Sequence, residues 1–225
     1  MLPSPESLPL FQDEALLVVS KPAGLPTLVD GYHPEAPYLV GLLKGAYGPL
    51  WVVHRLDRGT SGVIVFTRTA EAHRALNRAF EKRQVLKTYH ALAQGDPTWE
   101  SRTVRLPLRA DGDRRHRTIV DHKKGKPAET DLKVLERFHS HALLQAIPHT
   151  GRPHQIRAHL AALRHPLACD ALYGGAPLEG LDRPALHAYS LKLPHPLSGE
   201  EIEFTALYPE DLDQALQRMR LVGRQ

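Results

Sequence analysis

Apolar and polar positions along the chain recur with two periods, and the switches between them mark out the elements. Short apolar, β-branched runs at Ala15–Ser20 and Gly62–Thr67 predict strands, the second of them buried. Val85–Ala93, Thr103–Leu108, Thr118–Val120, Glu129–Phe138 and Ala142–Pro148 read as further strands. Leu186–Leu193 and Glu201–Leu207 make a last pair around a His195-Pro196-Leu197-Ser198-Gly199 turn. The helical period starts after Thr69, a capping residue type, with Ala72, Leu76, Ala79 and Phe80 sharing a face through about Arg83. It returns over His154–Arg164, where Ile156, Leu160 and Leu163 share a face and Pro153 occupies the first turn. Tyr38–Ala46 and the amphipathic segment opened by Pro209 bring the helices to about four. Lys21-Pro22-Ala23-Gly24 predicts a turn or loop, and Met1–Pro9 a frayed tail. With no repeat, low-complexity tract or linker, the pattern predicts a tail over residues 1–14 and one α+β domain over 15–225.

Composition narrows the class. Hydrophobic residues make up 42% of 225 residues, a globular share. The apolar stretches Ala15–Val19, Gly62–Phe66 and Ala142–Ile147 are each too short to span a bilayer, and no cationic, apolar leader opens the chain. A single cysteine, Cys169, excludes an internal disulfide; a cytoplasmic protein without a membrane partner is the expectation. The net charge of +4 is unevenly spread. Seven basic and three acidic residues fall in Arg109–Lys126, at the tip of an expected hairpin, whereas Glu200–Asp213 holds six acidic residues and no Lys or Arg. Such a division suits a polyanion on one face, although on composition alone a solvated charged loop is the favoured reading of the basic segment.

Three stretches carry candidate chemistry. His54-Arg55-Leu56-Asp57-Arg58-Gly59-Thr60-Ser61-Gly62 places an acid between two arginines just before the buried strand. It reads either as a turn in which Asp57 and Ser61 satisfy backbone groups, or as an active-site loop holding an ionised carboxylate. In Thr150-Gly151-Arg152-Pro153-His154-Gln155-Ile156-Arg157, Arg157 projects from the first helical turn. It is either an exposed basic residue or the partner of a buried carboxylate, with Arg152 and His154 on phosphate or base. On the strand Lys87-Thr88-Tyr89-His90-Ala91, Tyr89 shares a side with Lys87 and Ala91 and is by default a core residue with its hydroxyl at the rim.

Together these stretches resemble the pseudouridine synthases of the RluA family. The resemblance runs from Leu17–Gly24 through His54–Gly62, Lys87–Ala91, Gly125-Lys126-Pro127-Ala128-Glu129-Thr130 and Thr150–Arg157. It continues through His165-Pro166, Asp170 and Tyr173-Gly174 to Leu186-His187-Ala188 and His195-Pro196, covering about residues 15 to 208. It implies the synthase fold, a mixed and mainly antiparallel sheet flanked by helices with an active-site cleft across it. It also implies that Asp57 is the catalytic aspartate, that Arg157 pairs with it, and that Tyr89 stacks on the target base. Arg55 would fill the RNA stack where the flipped nucleotide has left, and Leu186 would close the apolar floor of the uracil pocket. Pro153 and Cys169 depart from the family's usual small hydroxylated residue and glycine. Many relatives carry an alpha-L-type RNA-binding module ahead of the catalytic domain. Only some fourteen residues precede the first strand here, so RNA selection is expected from the basic hairpin, with Arg114, Arg115 and Arg117 as its grip.

The implied isomerisation breaks the N-glycosidic bond, turns the uracil over and rejoins it through carbon 5. Nothing is oxidised or hydrolysed, so neither metal nor organic cofactor is expected, and one carboxylate serves as nucleophile or proton acceptor. The fourteen histidines show no H-E-x-x-H spacing, a second acid for glycosidase chemistry is missing, and no phosphate-loop motif is present. The competing reading is a catalytically silent RNA-binding protein that retains the fold. A monomer is expected, since no exposed apolar stripe calls for a partner.

Overall fold

The structure, a computed structural model, describes residues 4–31 and 33–222. In chain order the described residues form β1 (Pro9–Gln12), β2 (Leu16–Lys21), α1 (Leu39–Tyr47), β3 (Trp51–Val52), β4 (Ser61–Thr67), α2 (Ala70–Glu81), β5 (Leu86–Gln94), β6 (Ser101–Arg105), β7 (Leu108–Arg109) and β8 (Ile119–Val120). There follow β9 (Glu129–Arg137), β10 (His141–Pro148), α3 (Gln155–Ala162), β11 (Leu186–Pro194), β12 (Glu201–Thr205) and α4 (Glu210–Val222). The chain divides into two compact units, Met1–Lys87 with Ala188–Leu207 and Thr88–His187 with Tyr208–Gln225. The division falls within β5 and β11, so no linker composition marks it.

In the first unit β1, β2, β4 and β11 lie in that order, with β3 on β4 and β12 on β11. Every residue of β4 is buried, as its apolar run predicts. Val63 and Val65 share a core with Leu16 and Val18 of β2, Ala72, Leu76 and Ala79 of α2, and Leu191 and Leu193 of β11. The Thr69 side chain accepts the Ala72 N–H at 3.1 Å and caps α2. The helix ends at Glu81, two residues before the expected Arg83, because Arg83 itself takes a left-handed φ of 58°. The segment expected as a tail is structured from Ser4 onward: Pro5–Ser7 forms a 3-10 turn and β1 pairs with β2. The Ser20 N–H donates to the Leu8 carbonyl, and Phe11 sits 5.2 Å from Phe204. An edge strand needs few apolar residues of its own, so its pattern is weak.

In the second unit the sheet order is β5-β10-β9-β6, antiparallel throughout. One face carries Ala91, Ala93, Leu132, Val134, Leu144 and Ala146, covered by Ile156 and Leu160 of α3. Leu212 and Leu216 of α4 pack with Leu92 and Leu143 in a second core. The strand expected over Thr103–Leu108 is broken: β6 stops at Arg105, and Leu108 and Arg109 pair separately with β8. Pro107, with no N–H for the ladder, divides them. Helix α3 starts at Gln155 rather than His154, whose φ of 50° lies outside the helical region. Six consecutive residues, Gln155–Leu160, are buried, where the spacing predicts one apolar face.

Candidate active site

In the first unit the Asp57 loop bridges β3 and β4, which pair antiparallel at Trp51↔Thr67 and Val52↔Phe66. The loop backbone is fixed on both sides of the acid. Ahead of Asp57, Leu56 is buried; its N–H donates to Thr27 Oγ1 at 3.2 Å, and that hydroxyl donates to the Leu56 carbonyl at 3.0 Å. Behind it, the Arg58 carbonyl accepts the Gly24 N–H at 2.9 Å and Lys21 Nζ at 3.2 Å, while Arg58 Nε donates to the Gly24 carbonyl at 3.0 Å. A turn closed by the Thr60 N–H on the Asp57 carbonyl returns the chain to β4. Lys21 is 1% exposed, and its ammonium also donates to the Pro22 and Leu25 carbonyls. A buried cation is tolerated when its protons are matched by acceptors, and these acceptors tie the Lys-Pro-Ala-Gly turn to the Asp57 loop.

His54, at the loop's entrance, accepts the Val65 N–H on Nε2 at 3.1 Å and lies 5.1 Å from the Phe80 ring. Burial, then the nearby Lys87 cation, pushes its pKa down to about 3, so the imidazole stays neutral and able to accept. Gly62 follows with φ of 111°, where a Cβ would lie 2.1 Å from the Ala188 carbonyl oxygen of β11. Asp57 is half-buried and Arg55 exposed.

In the second unit two sequence motifs lock together. The Gln155 amide donates to the Glu129 carbonyl and to Thr130 Oγ1, and its oxygen accepts from Thr150 Oγ1 and the Arg152 N–H. His159, fully buried, bonds Thr130 Oγ1 and the Leu106 carbonyl, and burial lowers its pKa. These bonds hold β9 against the start of α3, from which Arg157 projects. Arg157 is 8% exposed and forms a two-pronged ion pair with Asp170, Nε to Oδ2 at 2.7 Å and Nη2 to Oδ1 at 2.8 Å. Its guanidinium carbon stands 5.0 Å from the centroid of the Tyr173 ring.

The other expected site residues lie around these. Tyr89 on β5 is half-buried and packs on the core cluster that contains Leu186, Ile156 and Leu160. His154 Nδ1 bonds the Tyr173 hydroxyl at 3.1 Å, and Arg152 Nε donates to the Pro127 carbonyl. Thus Tyr89, Arg152, His154, Arg157 and Leu186 belong to the second unit, and Arg55 and Asp57 to the first. Lys21, Thr27, Asp170 and Tyr173 stand in the sequence at most as members of a motif, with nothing nearby to assign them a role. Lys-Pro-Ala-Gly at 21–24 and Asp-x-x-Tyr-Gly at 170–174 are the local signals. The partners that give these residues a role, Arg58 for Lys21, Leu56 for Thr27, Arg157 for Asp170 and Thr118 for Tyr173, lie 13 to 55 residues away.

The basic segment is not a single tip. Arg114, Arg115 and Arg117 sit in the loop between β7 and β8, and Lys123, Lys124 and Lys126 in the turn after β8. Arg117 pairs with Asp113, and Arg115 and Arg117 donate to the Ala171 and Leu172 carbonyls. Arg109 pairs with Asp121, whose pKa falls to about 2 through the Lys124 N–H and then Arg109. Arg114, Lys123, Lys124 and Lys126 are exposed. Among the described residues, Glu129, Asp131 and His149 offer metal-type ligand atoms within 4.8 Å of one another, but Arg105 already pairs with Glu129 and Thr103 with Asp131. Asp131 and His149 pair with each other, which makes the group an ion-pair network on the sheet.

Comparison with known proteins gives these arrangements a class. Residues 15–162 match the family model for RNA pseudouridylate synthase. The chain is 35% identical to ribosomal large subunit pseudouridine synthase D of Yersinia pestis, across 96% of this chain and 73% of that protein. It is 39% identical to an uncharacterised RNA pseudouridine synthase of Mycobacterium bovis, across 95% and 73%. Among solved structures, human RNA pseudouridylate synthase domain containing 4 superposes with a TM-score of 0.80 at 26% identity, covering 96% of this chain and 95% of that one. The chain belongs to the RNA pseudouridine synthases, and within them to the RluA family: it is an isomerase that converts uridine in RNA to pseudouridine.

Proposed function

We propose that this enzyme isomerises uridines of ribosomal RNA, with the Asp57 carboxylate attacking the ribose or the base as the glycosidic bond breaks. The ribosomal assignment follows the name of the 35%-identical Yersinia protein; transfer RNA is the alternative substrate. The observation that carries the residue assignment is the anchoring of Leu56 and Arg58 on either side of Asp57. A nucleophile or base gains from such preorganisation, because a loop that must order itself at each turnover spends binding energy on doing so. Arg157 supports the ionised acid, Tyr89 stacks on the uracil, and Leu186 walls the base from water while it is detached. Arg55, exposed on the same loop as Asp57, fills the gap left by the flipped nucleotide and offsets an unstacking cost of a few kcal/mol. Arg152 and His154 meet phosphate or base. The protein works in the cytoplasm as a monomer, without metal or cofactor.

Tritium release from RNA labelled at uracil carbon 5 tests this reading. Wild-type enzyme releases label from a ribosomal RNA transcript, and Asp57→Ala abolishes release while still binding the RNA. Release that survives Asp57→Ala overturns the role of Asp57; absence of release from any cellular RNA with wild-type protein favours the silent binder. Mapping pseudouridines in total RNA of a deletion strain against its parent then names the site.

A further inference from the structure

Arg157 does not stand alone on its helix. Asp170, 1% exposed, grips it through Nε and Nη2, and a carboxylate that accepts two parallel bonds fixes the plane of a guanidinium as a single bond does not. Nη1 lies outside this fork, so its direction follows from where Asp170 is held. The Tyr173 ring lies 5.0 Å from the same guanidinium carbon. The Tyr173 hydroxyl accepts the Thr118 N–H at 3.0 Å, lies 3.1 Å from the Thr118 carbonyl, and bonds His154 Nδ1.

Asp170 and Tyr173 are themselves set by a tight turn. The Asp170 N–H donates to the Leu167 carbonyl, and the Asp170 carbonyl accepts from the Tyr173 and Gly175 N–H groups. Gly175 admits no side chain, since a Cβ there would lie 2.0 Å from the Leu167 carbonyl oxygen and 2.6 Å from the Asp170 nitrogen. Cys169 is held at φ 61°, with its thiol donating to the Leu181 carbonyl.

We propose that Asp170 and Tyr173 are positioning residues for Arg157: the acid sets the guanidinium's plane and the ring bounds it on one side. The proposal rests on the reading of Arg157 as the residue that supports the catalytic acid. Its distinguishing feature is that both residues act on the rate of the chemical step through Arg157, and Asp170 does so without acting on RNA affinity. A plain structural strut lowers stability and leaves the chemical step intact.

The test is single-turnover tritium release, with RNA affinity measured alongside, on a transcript from which wild-type enzyme releases label. Asp170→Asn keeps the shape but breaks one prong of the fork, and is expected to slow the step about 10- to 100-fold with RNA affinity unchanged. In an Arg157→Gln background, whose amide meets Asp170 without a fork, the same change is expected to have no further effect on rate. Equal slowing in both backgrounds, or none in either, overturns the proposal. An undiminished rate in Arg157→Gln alone overturns instead the role of Arg157. Should Asp170→Asn fail to fold, Tyr173→Phe carries the test. It keeps the ring and loses the bonds to Thr118 and His154. A change in RNA affinity through His154 falls equally in both backgrounds, whereas the single-turnover step is expected to slow several-fold only where Arg157 is present.

Discussion

Neutral histidines do structural work that a change of pH would expose. The depressed pKa of His54, about 3, arises from burial and Lys87; that of His90, about 4, arises from burial beside the Tyr208 hydroxyl. In the unfolded chain both titrate near 6.5. Below that value the unfolded state binds protons that the folded state refuses, so the folded state loses stability as pH falls through 6.5 toward those lower values. Each histidine is expected to cost about 2 kcal/mol between pH 7 and pH 5. Thermal melts across that range check this. His54→Gln, which offers the Val65 N–H an uncharged acceptor, should flatten the dependence measurably. Lys21 shows the converse solution, a buried ammonium whose protons are matched by the carbonyls of Pro22, Leu25 and Arg58. A Lys-Pro-Ala-Gly string reveals the turn but not the loop that its ammonium reaches, 37 residues further on.

At the scale of elements, glycines decide how close the strands and turns come. The run Gly62–Thr67 announces a buried strand, and the structure adds the reason for its first residue. There the backbone of β4 meets the Ala188 carbonyl, so any Cβ collides with main chain that has no rotamer to yield. Gly62→Ala is therefore expected to destabilise by more than about 2 kcal/mol, against about 1 kcal/mol for removing the α2 cap with Thr69→Ala. Urea unfolding of the two variants side by side checks both the size and the order. Helix α3 marks where a periodic pattern is insufficient. Its apolar spacing reveals one face, but Gln155, Arg157 and His159 are buried as well, each held by bonds to β9, to Leu106 or to Asp170. Two of the six acidic residues over 200–213 are taken up by ion pairs. Glu201 pairs with Lys192 across the β11–β12 hairpin, and Asp211 pairs with Arg183 in the first turn of α4, where negative charge is favoured.

For the molecule as a whole, the distribution of charge is expected to set how RNA is met. Of the basic segment, Arg117 spends its charge on Asp113, whereas Arg114, Lys123 and Lys124 are exposed and have no ion-pair partner among the described residues. Replacing those three with alanine is expected to weaken RNA binding and lower the log–log salt slope by about 0.7–0.9 for each phosphate that is no longer neutralised. Arg117→Ala should change the slope less and the melting temperature more. Filter binding over a salt series separates the two, and an unchanged slope in the triple variant returns the segment to a solvated loop. On this scale the sequence by itself determined the periods, and hence the longer strands and the helices, the α+β class, and through its ordered motifs the family. These follow from local chemistry: which residues alternate, which cap, which break a ladder. The tertiary structure alone decided that the chain divides inside strands, that residues 9–12 pair as an edge, and that Lys21 braces the Asp57 loop. It also decided that Asp170 grips Arg157. Each depends on groups distant in sequence sharing one desolvated place, where a polar atom must find a partner, and no local pattern encodes which partner that will be.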